Sequence, residues 1–462
     1  MSSTTHEAAR RELGPSFGGA IIASEDPEYQ EARTVYNAMI DRRPSLIARP
    51  SNTDDVARAV RFAAEHDLPL AVRGGGHSGP GFGVVDDGVV IDLSLLKTIE
   101  IDAGARTALV GGGCTWGEVD AATHEHGLAT VSGIISTTGV GGLTLGGGHG
   151  YLTRKHGLTI DNLLAAEVVL ANGEIVTAND VENPDLFWAI RGGGGNFGIV
   201  TSFLFRLHPV GTIVGGVVLW PIESVAGVMR WYREFLPNAP RELNGWLGLH
   251  TVPPAPPFPE ELHFRKVAFS SWCYAGPPDK AREAFAPIQE FGPPILYGVQ
   301  EMPYPDLQRA FDEMYCPGLQ WYWRHDFVRE LSDEAIERHV EFGGRRPTLH
   351  STMHLYPVDG AVHDIGATDT AFSHRDVLWS QVIVGVDPDP ARADELRSFA
   401  VDYWEALHPY SAGGAYVNMT MEEAPERVRA SYGENYERLA RIKAQVDPGN
   451  LFRANQNILP AE

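Results

Sequence analysis

A chain of 462 residues is too long for one hydrophobic core, because single cores stop growing near ~250 to 300 residues, and at least two packed units are expected. Hydrophobic residues at 43% and charged residues at 21% exclude a largely disordered chain. The 37 Lys and Arg against 60 Asp and Glu give a net charge of -23, which excludes nucleic acid and anionic lipid as favoured partners.

The first 208 residues alternate short β-branched runs with glycine clusters and helical stretches, which predicts a mixed α and β domain. The predicted strands cover residues 70–73, 89–93, 107–110 and 167–170, and the predicted helices cover residues 28–39, 53–66 and 115–126. Thr53 or Ser51 is the expected N-cap of the second helix. Thr115 and Glu118 have the spacing of a capping box at the start of the third.

The pattern changes near residue 209, where the glycine clusters thin out and proline-rich breaks begin. Strand-like runs are predicted at residues 267–274, 349–356 and 379–386, and a helical segment is predicted at residues 422–446, before the tail LFRANQNILP. The tail is expected to pack back on the first domain. The sequence therefore predicts an α+β protein of two domains, with residues 1–208 and 410–462 in one and residues 209–409 in the other.

The cysteines, the histidines and the apolar runs limit which other classes of protein are possible. Cys114, Cys273 and Cys316 lie far apart and lack the spacing of metal ligands or of a disulfide framework. The 17 histidines form no HExxH motif, so no metal site is expected. No run has the length of a signal peptide core or of a ~20-residue membrane span, and we expect a cytoplasmic protein without a membrane partner.

Four glycine clusters stand out, at residues 73–78 (RGGGHS), 111–113 (GGG), 139–148 (GVGGLTLGGG) and 191–198 (RGGGGNFG). Glycine allows close backbone approach and positive φ, and successive free N–H groups form a cradle for phosphate oxygens. Each cluster alone could be a tight turn, but four together favour a pyrophosphate. None fits GxxxxGK[ST] or opens a GxGxxG βαβ unit, which disfavours a nucleoside triphosphate or a Rossmann cofactor.

These clusters stand within longer motifs: VRGGGHSGPGFG, GIISTTGVGGLTLGGGHGYLTRKHG, NPDLFWAIRGGGGNFG, YVNM and DPGNLFRANQNI. In this order the motifs resemble the FAD-linked oxidases of the vanillyl-alcohol-oxidase superfamily, and most closely the bacterial berberine-bridge-enzyme-like branch. The resemblance is strongest over residues 40–208 and 410–460. It implies a PCMH-type FAD-binding domain and a substrate domain in which helices cover an antiparallel sheet.

The resemblance implies FAD bound covalently, through an imidazole nitrogen of His77 and the flavin 8α-methyl group. Bicovalent relatives have a cysteine before the GVGG stretch, where this chain has Ile135, so a single linkage is expected. Val140 is assigned beside the oxygen-reactive flavin face, where a small side chain favours an oxidase over a dehydrogenase. The implied flavin contacts are His77, Arg73, Gly74, Gly75, Gly76, Ser78, Thr138, Val140, Gly141, Gly142, Gly146, Val200, Tyr416, Asn418, Asn455 and Asn457.

Two residues are candidates for the general base that such an oxidation needs within ~3 Å of the leaving proton. Tyr416 heads the YVNM motif, which the family places beside the flavin. Asp364 stands where plant relatives have a catalytic glutamate. Either could instead be structural, the tyrosine bonding a loop and the aspartate lying in solvent at a strand edge.

The substrate wall is expected to be rich in aromatic and histidine side chains. Strand alternation puts His354 with Tyr356, and Trp321 with Trp323, on common faces, although the sequence does not say whether those faces meet the flavin. The expected wall residues are Tyr151, His149, His250, His354 and Tyr356, with Trp246 and Trp323 beside them.

The function expected from the resemblance is FAD-dependent oxidation of an alcohol, amine or ring carbon in a small natural-product or sugar-like molecule, with O2 as acceptor. A flavin-dependent oxygenase or oxidative cyclase is the alternative enzyme. A non-catalytic flavin redox carrier is the alternative of another class, and the large second domain argues against it. A monomer or homodimer is expected, and the sequence leaves the substrate open.

Overall fold

The computed structural model describes residues 2–462, and its first part builds two main sheets from short strands. The strands are β1 Ala20–Ile22, β2 Leu46–Arg49, β3 Leu70–Arg73, β4 Val89–Asp92, β5 Ile99–Asp102, β6 Thr107–Gly111, β7 Leu128–Ala129, β8 Leu163–Val169, β9 Ile175–Ala178, β10 Ile199–Arg206 and β11 His208–Pro209. One sheet has the order β1-β2-β4-β3, and β4 is parallel to both β2 and β3. The other is antiparallel, in the order β5-β6-β10-β8-β9.

Helices accompany these strands, and one of them carries most of the third glycine cluster. They are α1 Ser2–Glu12, α2 Tyr29–Ala32, α3 Thr53–Glu65, α4 Trp116–His124, α5 Val140–Gly146, α6 Thr153–His156 and α7 Pro184–Ile190. The third glycine cluster forms α5, whose end is marked by Gly147 at φ 135°. Only glycine adopts such a φ without strain, so the chain can turn there toward the second part of the protein.

The second part is one large antiparallel sheet with helices. Its strands are β12 Thr212–Pro221, β13 Leu243–Thr251, β14 Lys266–Tyr274, β15 Leu296–Tyr297, β16 Gln300–Pro303, β17 Gln320–Val328, β18 Thr352–Pro357 and β19 Trp379–Asp387. The order is β15-β12-β14-β13-β18-β19-β17, and β16 also pairs with β12. The helices are α8 Val225–Phe235, α9 Pro278–Glu290, α10 Tyr304–Gln308, α11 Asp333–Gly343 and α12 Ala393–Leu407.

The two faces of this sheet have different neighbours. Leu247, Met353 and Ile383 pack on one face under the apolar stripes of α8, α9, α11 and α12. Trp246 and Tyr356, from the alternate positions, face the first part of the chain. Because successive side chains of a strand point to opposite faces, this sheet has one helix-covered face and one face toward the glycine loops. The predicted α+β fold, with helices covering an antiparallel sheet, is confirmed, whereas the boundaries at residues 208/209 and 409/410 stay predictions.

The tail returns to the first part through two helices, α13 Pro425–Tyr432 and α14 Tyr436–Val446. The helical segment predicted over residues 422–446 is present, divided into these two helices. Gly433, at φ 55°, turns the chain between the two helices, since a continuous α-helix requires negative φ. The α14 side chains Leu439 and Ile442 lie in the core of the first part, together with Phe187 of α7.

The helix predicted over residues 28–39 was wrong beyond Ala32, where α2 ends. Tertiary hydrogen bonds replace helical ones beyond that point. The Tyr36 N–H donates to the Gly76 carbonyl at 3.1 Å, and the Asn37 side chain donates to two backbone carbonyls. These contacts hold the segment against a glycine loop, and local helix propensity does not outweigh them.

Helix caps were predicted with mixed success. Asn52, rather than Thr53 or Ser51, caps α3, because its Oδ1 accepts the Asp55 N–H at 2.9 Å. Asn is as good an N-cap as Ser. At α4 the predicted pair is in contact, since the Glu118 carboxylate accepts bonds from the Thr115 N–H at 2.7 Å and from the Thr115 hydroxyl at 3.0 Å.

A buried ion pair joins the two parts of the chain. Arg154 of α6 binds the Asp359 carboxylate at 2.8 Å, and the exposed fractions of the two side chains are 1% and 5%. Its guanidinium also donates to the carbonyls of Pro240 and Leu243. The second part of the chain therefore supplies all of these partners of one buried cation.

Replacing Arg154 by Met is expected to lower the free energy of unfolding by about 3 to 5 kcal/mol, because it leaves a buried carboxylate unpaired. Urea unfolding followed by tryptophan fluorescence measures it. Arg241→Met is the matched control, since Arg241 pairs with Asp364 where both side chains are about half exposed, and little change is expected there. Equal losses in the two variants would contradict the prediction.

Across residues 2–462, no helix combines the length and the apolarity that crossing a membrane would require.

Candidate functional site

A cavity of about 370 Å³ lies between the glycine loops and the open face of the large sheet. Residues of the first part and of the tail line one end: Gly74, Gly75, Gly76, Gly139, Gly141, Gly142, Gly194, Gly195, Val200, Ala454 and Asn455. Aromatic and polar residues of the second part line the other: Tyr315, Trp321, Trp323, Thr352, His354 and Tyr356. The cavity therefore joins a glycine-rich end to an aromatic end.

The loop after β3 presents unpaired backbone donors. The N–H groups of residues 75–78 bond to no acceptor within residues 2–462. Gly75 also lies close to Gly139, since a Cβ on Gly75 would be 2.4 Å from the Gly139 nitrogen. Glycine is required at this crossing, and the successive free N–H groups suit an anion such as the FAD pyrophosphate.

Two further observations fit a large polar ligand at the glycine-rich end. A Cβ at Gly142 or Gly195 would meet no protein atom within 4 Å, so the backbone there borders open space. The Oδ1 of Asn455, another lining residue, is buried and has no partner in the described chain. Buried polar atoms are rarely left unpaired, so this one fits a ligand donor. The site has the free donors, space and acceptor that FAD would need.

Filling the open space at Gly142 is expected to exclude the cofactor without unfolding the protein. We expect Gly142→Leu to purify without flavin absorbance and with the circular dichroism of the wild type. Gly227→Ala is the control, because Gly227 lies in α8, also meets no atom within 4 Å of its Cβ, and is remote from the cavity lining. A fully yellow Gly142→Leu protein would contradict the prediction.

His77 stacks on Tyr36, with ring centroids 4.0 Å apart, and lines the cavity. Burial lowers the pKa of His77 to about 4, so the imidazole is neutral at neutral pH. Its Nε2 lies 3.0 Å from the Thr137 hydroxyl, and its Nδ1 lies 3.5 Å from the Thr138 hydroxyl. Nδ1 is thus the less engaged nitrogen, and a neutral ring has a free lone pair there when Nε2 carries the proton.

Ile135, which is predicted to stand where bicovalent relatives have the second linking cysteine, lines the cavity. Cys114 has no exposed surface and is absent from the lining. Burial raises the pKa of the Cys114 thiol to about 11, which disfavours its reactive thiolate.

Tyr416 also faces the cavity. Its phenolic oxygen accepts two hydrogen bonds, from the Gly148 N–H at 2.8 Å and from the Asn418 amide at 2.9 Å. Burial raises the pKa of Tyr416 to about 12, while these two donors lower it. Because Gly148 and Asn418 are both donors, the hydroxyl proton of Tyr416 must point away from them. A phenolate at this position would keep both hydrogen bonds.

The predicted substrate wall is partly brought to the cavity. His149, His354 and Tyr356 line it, and His354 Nδ1 lies 2.5 Å from the Tyr356 hydroxyl. His250 stands behind His354, with 2.9 Å between their Nε2 atoms. Tyr151 is in the core, where its hydroxyl meets Ser271 at 3.0 Å.

Four further predicted residues lie outside the cavity lining. Asp364 is exposed and forms two bonds with Arg241, which, through hydrogen bonding, holds the pKa of that carboxyl below its ordinary value. Val140 is fully buried in the core of the first part of the chain. A Cβ on Gly146 would lie 2.3 Å from the Asn418 Oδ1, so Gly146 gives room to that side chain. Asn457, the fourth, has a buried Oδ1 without a partner in the described chain.

The remaining predicted residues all line the cavity; they are Arg73, Ser78, Thr138, Val200 and Asn418. Buried Asp92 accepts a bond from the Arg73 guanidinium at 2.8 Å.

Several residues of the site were not predicted from the sequence. Tyr36 was placed in a helix that does not form, and Gly195 belongs to a glycine cluster to which no contact was assigned. His325 and Ser380 lie behind the cavity wall. Strand alternation could have found His325, since it follows Trp323 by two positions on β17.

Family models match two segments of the chain. One, described as an FAD binding domain, matches residues 44–179, and one, described as berberine and berberine like, matches residues 415–459.

Two curated relatives match over almost the whole chain. An FAD-linked oxidoreductase of Dictyostelium discoideum is 31% identical over 98% of this chain and 97% of its own length. The (R)-6-hydroxynicotine oxidase of Paenarthrobacter nicotinovorans is 30% identical over 96% of this chain and 97% of its own length.

Solved structures agree with these relatives. A 6-hydroxy-D-nicotine oxidase from Arthrobacter nicotinovorans has a TM-score of 0.87 at 26% identity, over 96% of this chain and 99% of that one. A xylooligosaccharide oxidase from Myceliophthora thermophila, solved with xylobiose, has a TM-score of 0.86 at 25% identity, over 99% of this chain and 100% of that one.

Proposed function

This chain belongs to the berberine-bridge-enzyme-like family of FAD-linked oxidoreductases, and from that premise we propose that it oxidises a neutral small molecule at a carbon bearing a hydroxyl group. The observation that carries this proposal is the Tyr416 oxygen, which faces the cavity and accepts bonds from Gly148 and Asn418. A base with two preformed donors suits the removal of a hydroxyl proton. FAD, when bound, accepts the hydride from the substrate carbon.

The cofactor is proposed to be linked through one residue, His77. Support comes from its neutral ring, from the less engaged Nδ1, and from its place at the cavity. Ile135 offers no sulfur for a second bond. The proposed contacts of the pyrophosphate are the free N–H groups of residues 75–78, and Asn455 is proposed to accept a bond from the cofactor.

The neutrality of the substrate rests on the charge of the cavity. Among the lining residues of the described chain, Arg73 is the one ionised side chain, and it is held by Asp92 at the glycine-rich end. Burial lowers the pKa values of His149 and His354 to about 4 and about 3, so both rings are neutral at neutral pH. A charged substrate would lose its hydration without gaining a counterion.

The substrate class is therefore proposed to be a neutral alcohol of aromatic or sugar-like character. Trp321, Trp323 and Tyr356 offer the flat apolar faces that rings of either kind pack against. Of the relatives named above, the xylooligosaccharide oxidase is named for a neutral, sugar-like substrate, whereas 6-hydroxynicotine carries a basic amine and a hydroxyl group on an aromatic carbon, and lies outside the proposed class.

Molecular oxygen is the proposed electron acceptor. Support comes from the names of the relatives, which are oxidases. The side chain of Val140 supplies no support, because it packs in the core and not at the cavity.

The proposal is tested under anaerobic conditions. The holoprotein is mixed with 6-hydroxynicotine, xylobiose and a panel of neutral aryl alcohols, and the flavin absorbance is followed. A neutral alcohol is expected to bleach it, and admission of air is expected to restore it with release of hydrogen peroxide. When the flavin is reoxidised with isotopically labelled O2, appearance of the label in the organic product would indicate the oxygenase alternative. Reduction by an artificial donor but by no panel member would favour the redox carrier.

A further inference from the structure

Three buried side chains link the cavity wall to the backbone of Tyr416. The Tyr416 N–H donates to His325 Nδ1 at 3.0 Å, His325 Nε2 lies 2.7 Å from Ser380 Oγ, and that oxygen lies 3.1 Å from His149 Nε2. His325 and Ser380 have no exposed surface. This series of hydrogen bonds runs from His325 on β17 through Ser380 on β19 to His149, the residue that follows the third glycine cluster.

The direction of the first two bonds follows from the backbone. An amide N–H can only donate, so His325 Nδ1 must accept and carries no proton. Burial lowers the pKa of His325 well below its ordinary value, so the ring is neutral and its proton is on Nε2. His325 therefore donates to the Ser380 oxygen.

The same reasoning reaches His149. Ser380 has one hydroxyl proton, and with His325 Nε2 already protonated, His149 Nε2 is the remaining acceptor within hydrogen-bond distance in residues 2–462. His149 Nε2 therefore accepts. Burial keeps this ring neutral, so its proton is on Nδ1.

In the described chain no protein atom accepts a hydrogen bond from the His149 Nδ1–H group. This nitrogen is not fully buried, since it is not among the buried polar atoms that lack a partner. The ring lines the cavity, and its centroid is 4.9 Å from that of Tyr416 and 5.1 Å from that of Tyr356. We infer that His149 offers a fixed Nδ1–H donor to the reacting oxygen of the substrate, and that Ser380 and His325 are positioning residues that hold this tautomer.

The inferred donor explains how the site would choose its substrate, and in this respect it rests on the proposed function. The Tyr416 oxygen takes the hydroxyl proton while His149 donates to a lone pair of the same oxygen, stabilising the negative charge that develops there. A ring whose only free nitrogen bears a proton cannot accept a bond from an ammonium group. The site therefore selects neutral alcohols against protonated amines.

The tautomer can be measured without turnover, by nitrogen NMR of the oxidised holoenzyme labelled with ¹⁵N-histidine. His149→Gln identifies the resonances of His149 by their loss. We expect the shifts of a neutral ring protonated on Nδ1 in the wild type, and a mixture of both tautomers in Ser380→Ala. Protonation of His149 on Nε2 would overturn the inference, and an unchanged tautomer in Ser380→Ala would overturn the positioning role.

The donor role is tested on the same samples with two probes of equal shape, 4-methoxybenzyl alcohol and 4-methoxybenzylamine, added without oxygen. The His149 Nδ1 resonance is expected to shift with the alcohol and to stay in place with the amine. Equal shifts, or none with either probe, would overturn the donor role. If the resonance responds as expected but no alcohol ever reduces the flavin, the proposed function fails while the inference stands.

Discussion

The His77→Ala variant is expected to release all of its FAD when it is denatured with acid and filtered, whereas the wild type keeps the yellow colour on the polypeptide. The proposed covalent bond would be the one cofactor contact that survives unfolding. Hydrogen bonds donated to the cofactor by the free N–H groups of residues 75–78 would be lost with the fold. The mass of the intact denatured chain measures the same difference, as one FAD added to the wild type and none to the variant.

A matched control separates this effect from a general effect of removing a histidine. His66 is partly exposed and pairs with Glu12, and neither residue lines the cavity, so His66→Ala is expected to keep its FAD bound. Native His77→Ala can still bind FAD reversibly, because its loops are unchanged. Release of free FAD from the acid-denatured wild type would refute the covalent link while leaving the binding site intact.

The glycine-rich end could be predicted from sequence because its chemistry is local. The run at residues 73–78 supplies consecutive N–H groups, and close approach or positive φ explains why these positions are glycine. Tyr36 was missed for the opposite reason. Its segment has helical periodicity, but bonds to distant residues hold it in another conformation, and no local pattern reports them.

The aromatic end could be predicted only in part. Strand alternation correctly paired His354 with Tyr356 but could not say which face of the sheet meets the cavity. Asp364 was selected by its position in a motif, which carries no information on the direction of a side chain. His149 and Ser380 are 231 positions apart in the chain, so their contact appears only in the folded protein.

Tyr416→Phe is expected to lower kcat/KM, and the rate of flavin reduction, by about 10² to 10⁴, the usual contribution of a general base. Phenylalanine keeps the ring against His149 and removes only the oxygen that accepts from Gly148 and Asn418. Stopped-flow reduction without oxygen isolates the affected step. Asp364→Asn is the control, since Asp364 is exposed and outside the cavity lining, and no change is expected.

The pH profile distinguishes a base from a structural tyrosine. Burial raises the pKa of Tyr416 to about 12, and the phenolate is the proposed reactive form, so the wild-type rate is expected to rise with pH below that value. The slope should be about tenfold for each pH unit while the phenol is mostly protonated. Tyr416→Phe should lose this slope as well as the rate. A variant that reduces its flavin slowly but keeps the slope would assign the titrating group to another residue, and Tyr416 would then act only by holding Asn418 and the Gly148 loop.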